Sequence, residues 1–87
     1  MLSDEVRSSG EDTLLNIQIA DEWRKITVTA EALALHLQLS PQQAEVLTPE
    51  RRCQLVRDNM AFVFAGVRRQ LRQRPDAQRI TLKGGDM

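Results

Sequence analysis

A chain of 87 residues with 12 Lys and Arg against 12 Asp and Glu has no net charge, so it lacks the overall positive field by which a nucleic-acid binder is first recognised. Its length fits one domain, near the lower limit for a core without disulfides, metal or a second copy. Cys53 is the only cysteine and no apolar run has the form of a signal segment or membrane span, which excludes an internal disulfide and points to a reducing, cytoplasmic setting.

Charge is balanced overall but not along the chain. Residues 1–13 carry Asp4, Glu5, Glu11 and Asp12 against Arg7, whereas residues 48–74 carry seven arginines against Glu50 and Asp58. The opening "MLSDEVRSSGED" is polar and ends its first ten residues on Ser-Ser-Gly, so residues 1–13 read as a flexible arm with little to bury. From Leu14 the pattern becomes one of alternation. Leu15, Ile17 and Ile19 alternate with Asn16 and Gln18, and Ile26 and Val28 alternate with Lys25, Thr27 and Thr29, the period of a half-buried strand. The polar "ADEW" between the two runs predicts a β-hairpin turn.

Three helices follow, each announced at its N-terminus. Thr29 precedes "AEALALHLQ" with Glu31 in the first turn, Ser40 precedes Pro41, and Thr48 precedes Pro49, the arrangement in which a hydroxyl caps and a proline occupies the first helical position. The third helix is expected to run unbroken to Arg74, where Pro75 stops it. Cys53, Val56, Met60, Val63, Phe64, Val67 and Leu71 form one stripe along it, the face that lies on the sheet. "RITL", Arg79 to Leu82, alternates again and closes the domain before a loose tail at 84–87. The expected fold is α+β: a single domain over 14–83, in which the hairpin and the last strand make a small antiparallel sheet packed by one long and two short helices.

Equipment for catalysis is sparse. His36 is the only histidine and Cys53 the only thiol, so Cys-His nucleophilic chemistry and a zinc site lack partners of the usual kind, and the expectation is a non-enzymatic protein with no metal and no cofactor. Cys53 on the apolar stripe reads as an inert core thiol.

Residues 29–47, "TAEALALHLQLSPQQAEVL", resemble a helix-turn-helix, which implies a second helix at Pro41 to Leu47 reading the major groove. The sequence departs from that motif at Gln38, where a turn glycine is usual, and at Ala44, where a larger residue usually locks the helices. Gln42, Gln43 and Glu45 also leave the reading helix without a cation. Over residues 14–86 the hairpin ending in "ITVTAEAL", the helix after a proline and the closing "RITLKGGD" resemble a proteobacterial family of short proteins known only as a domain of unknown function. That resemblance implies a compact α+β fold and assigns no functional residue.

Two surfaces remain as candidate sites. Leu55 and Phe62 point away from the core stripe of the long helix, with Gly66 a turn further, and read either as a homodimer interface or as core covered by the shorter helices. Arg57, Arg68 and Arg72 form a basic flank, with Arg69 and Arg74 elsewhere, and read either as cations offsetting the helix dipole or as an anion or nucleic-acid contact. The expectation is a cytoplasmic regulatory or accessory protein of bacterial type, working through contacts with itself or another protein and not with a membrane. The alternative is a DNA-binding regulator using residues 29–47, and strands at residues 14–28 would favour the first.

Overall fold

The computed structural model describes residues 6–19 and 21–84. Among these, the elements run β1 (Arg7–Ser9), β2 (Asp12–Ile19), β3 (Glu22–Val28), α1 (Ala30–Leu37), α2 (Pro41–Glu45), α3 (Pro49–Asp58), α4 (Met60–Gln73) and β4 (Arg79–Leu82). The fold is α+β, with one sheet in the order β1-β2-β3-β4.

Alternation decides which face of the sheet is inside. Thr13, Leu15 and Ile17 of β2, Arg24, Ile26 and Val28 of β3, and Ile80 and Leu82 of β4 are buried, and the residues between them are not. Onto this inner face pack Ala32 and Leu33 of α1, Cys53 and Val56 of α3, and Val63 and Val67 of α4. Each fully buried Val, Leu or Ile contributes roughly 1.5–3 kcal/mol, so these three helices and one sheet face account for the core. No helix among the described residues is long and apolar enough to cross a membrane.

The three N-caps form as the sequence predicts. Thr29 Oγ1 accepts from Ala32 N (3.1 Å), Ser40 and Gln43 make a reciprocal capping box, and Thr48 Oγ1 accepts from Arg51 N (3.1 Å). Gln38 ends α1 in the left-handed region (φ 57°), the conformation for which a glycine is usual, and its N–H satisfies carbonyls of Ala34 and Leu35.

Four expectations are corrected. The polar arm is not an arm from residue 6 onward, while residues 1–5 lie outside the described residues. Val6 is buried and Arg7–Ser9 pair with β2 through the two-residue loop Gly10–Glu11, where Gly10 takes φ 60°, as the first position of a Gly-X hairpin turn requires. The sheet is mixed, because β4 lies parallel to β3. The helices between them carry the chain back to the end from which β3 started, as a parallel crossover must. The long helix is two helices, broken at Asn59 (φ −123°, ψ 35°), whose side-chain amide donates to the Leu55 carbonyl at 2.7 Å in place of the helical ladder. Finally, Gly84 of the tail packs on α1 so closely that a Cβ there would meet Glu31 Oε1 and Leu35 Cδ1, each at 2.5 Å.

Candidate functional site

The helices cover one face of the sheet, and among the described residues no element packs on the other. Strand register places the residues of that outer face in rows. Arg7, Leu14, Thr27 and Thr81 lie side by side, as do Asn16, Lys25 and Arg79, and then Gln18 and Trp23. Strands sit about 4.8 Å apart and like-facing residues about 6.6 Å apart along a strand, so these side chains span roughly 14 Å across the strands and roughly 13 Å along them. A depression of about 440 Å³ opens among Arg7, Leu14, Asn16, Lys25, Thr27, Arg79 and Thr81. A second, of about 430 Å³, runs along the free edge of β4 and is lined by Arg74, Arg79, Lys83 and Gln73 among others, so Arg79 belongs to both.

The electrostatics of the patch centre on one pair. Lys25 and Arg79 are direct register partners on adjacent strands, both exposed, and neither has an acidic partner among the described residues. Like charges directly opposite in a sheet are unfavourable. Among the described residues, the acidic side chain of this face is Asp12, about 13 Å along β2 from the row of Lys25. An anion seated over Lys25 and Arg79 would turn that repulsion into attraction.

The opposite face holds the pair in place. Arg24, only 5% exposed, donates from Nη1 to the Ala77 carbonyl and from Nη2 to Glu22 Oε2 (3.4 Å). Lys25 N donates to the Gln78 carbonyl at 2.8 Å, and the hydroxyl and amide of Thr29 both donate to the Leu82 carbonyl, at 2.8 and 3.1 Å. These bonds clamp both ends of β4 to β3 and fix the register that sets Arg79 beside Lys25.

The residues singled out from sequence fall elsewhere. Phe62, 7% exposed, stacks on His36 of α1 with ring centroids 4.0 Å apart and planes at 18°, and Gly66 is buried beside it. Leu55 is half-buried against the core. Val63 with Val67 and Phe62 with Gly66 form two adjacent rows of α4, both buried within the single chain, the arrangement of the intrachain alternative. Arg57, Arg68 and Arg72 are all exposed, but Arg57 is on α3 and the other two are on α4, so the break divides the flank. Residues 14–19 and 22–28 are strands, and α2 has five residues with none buried, so the hairpin stands where a tri-helical DNA-binding core would have its preceding helix. Cys53 is buried as expected.

Sequence reasoning passed over Lys25, Arg79 and Trp23 because each is the polar or outward member of an alternating run. Only the pairing of β3 with β4 makes Lys25 and Arg79, more than fifty positions apart, neighbours. Comparison with protein-family models, curated proteins and solved structures finds no match.

Proposed function

We propose that this chain is a non-catalytic binding module whose working surface is the open face of the sheet, and that the face takes an anionic macromolecule. The observation that carries this reading is the side-by-side placement of Lys25 and Arg79 with no acidic partner among the described residues, continued by Arg74 along the β4 edge. The sole thiol, Cys53, is in the core, and the sole imidazole, the exposed His36, has Phe62 as its stacking partner, which supports binding over catalysis. A symmetric dimer centred on this face would set its cations against those of the second copy, so the charge favours an acidic partner over self-association.

Retention on a heparin column at low salt tests the reading. Arg79→Glu is expected to elute at clearly lower salt than the wild type and, by giving Lys25 an opposite charge in register, to gain ~0.2–1 kcal/mol of stability. Arg68→Glu with Arg72→Glu should leave retention nearly unchanged. Loss of retention in the α4 double variant and not in Arg79→Glu would move the working surface to the helix and refute the proposal.

A further inference from the structure

We infer that the anionic partner is single-stranded nucleic acid, with a base stacked on Trp23 and a phosphate between Lys25 and Arg79. The inference rests on the binding-module reading and names its ligand class.

Trp23 is the first support. The chain has three aromatic residues and one tryptophan, yet that tryptophan is 52% exposed, outside a core that its large area would strengthen. It stands on the same face as Lys25, two residues along β3, and its register neighbour is Gln18. A flat π-surface one step from a pair of cations is the combination by which single strands are held without regard to sequence, bases on aromatic rings and backbone on Lys and Arg.

The second support is how little of the face is apolar. Leu14 and Trp23 are its larger apolar side chains, and Asn16, Thr27 and Thr81 fill the rest with hydrogen-bonding groups. A protein partner generally needs an apolar centre to its contact, whereas nucleic-acid interfaces are polar and positively charged. Between duplex and single strand, a sheet face without a projecting helix or ribbon suits unstacked bases, because a duplex hides its base faces and offers grooves to be entered.

Because Trp23 is the only tryptophan, its fluorescence reports the contact directly. The wild type is titrated with a twelve-residue oligo-dT, the same length of oligo-rU, a duplex of equal length and polyglutamate, with anisotropy of the labelled strand as a second readout. Expected are quenching by both single strands, tighter binding of them than of duplex, and a log–log salt slope of about −0.7, that of the one phosphate held between Lys25 and Arg79. Trp23→Ala should weaken binding about 5- to 150-fold by anisotropy, and Trp23→Phe should recover most of it. A circular-dichroism melt of each variant should stay near the wild type, since Trp23 lies outside the core. Polyglutamate bound as tightly as oligo-dT, or duplex bound as tightly with the tryptophan emission unchanged, would overturn the nucleic-acid inference and leave the anion-binding module standing. No binding to any of the four polyanions at low salt would remove both.

Discussion

Two arginines carry more of this fold than their neighbours in sequence suggest. Arg24 and Arg52 are nine-tenths or more buried, and the Nε of each has no hydrogen-bond partner, so each pays part of its desolvation without return. What they gain is tethering of irregular chain. Arg24 holds the Ala77 carbonyl before β4, and Arg52 donates from Nη1 to the Leu47 carbonyl and from Nη2 to the Gly10 carbonyl, both 2.9 Å, joining the α2–α3 junction to the β1–β2 loop. Arg52→Met keeps the stem and removes both bonds, and it is expected to cost ~1–3 kcal/mol, because two carbonyls lose a charged donor that water replaces only in part. For a domain of this length that is roughly 4–8 °C in Tm per kcal/mol, readable in a thermal melt. An unchanged Tm would mean that the loops are held by other contacts. Neither arginine was legible as structural in the sequence: Arg24 looks like a polar residue in a strand of mixed character, and Arg52 like one more cation in an arginine-rich segment.

Among the elements, the caps and the hairpin were read locally, although Glu22 and Trp23, expected in the turn, open β3. The caps at Thr29, Ser40 and Thr48 depend on residues three apart, and the hairpin on alternation within eight, so the sequence states both without tertiary context. β1 escapes that kind of reading because a three-residue edge strand exposed at every position has no alternation to show. The break at Asn59 escapes it because one side-chain amide competing for the Leu55 carbonyl decides the matter, and a stripe with helical period runs through it undisturbed. Beyond the break, Phe62 is buried within the chain. Phe62→Asp places a carboxylate against His36 and the core, and it is expected to unfold the domain, with loss of the cooperative melt and no intermediate in which a folded monomer is released from a dimer. A folded Phe62→Asp variant of lower sedimenting mass would restore the interface that the sequence first suggested at Leu55, Phe62 and Gly66.

For the whole molecule, the governing fact is that a single layer of helices covers a single face of the sheet. The parallel return of β4 completes the inner face with Ile80 and Leu82 and at the same stroke puts Arg79 beside Lys25 on the outer one, so the core and the cationic pair follow from one register. Alternation within β4 foretold its buried residues, but not its direction or its neighbour, which depend on the path through four helices. The outward positions of Lys25 and Arg79 were therefore legible in the alternation, and their meeting on one face was not. Backbone amide mapping by heteronuclear NMR, with oligo-dT added to the labelled protein at low salt, tests the claim that the bare face is the working one most directly. Shifts should concentrate on Asn16, Trp23, Lys25, Thr27, Arg79 and Thr81, with α2 and the exposed side of α4 quiet. Shifts gathered instead at Gln42 and Gln43, or at Arg68 and Arg72, with the sheet residues unmoved, would contradict it.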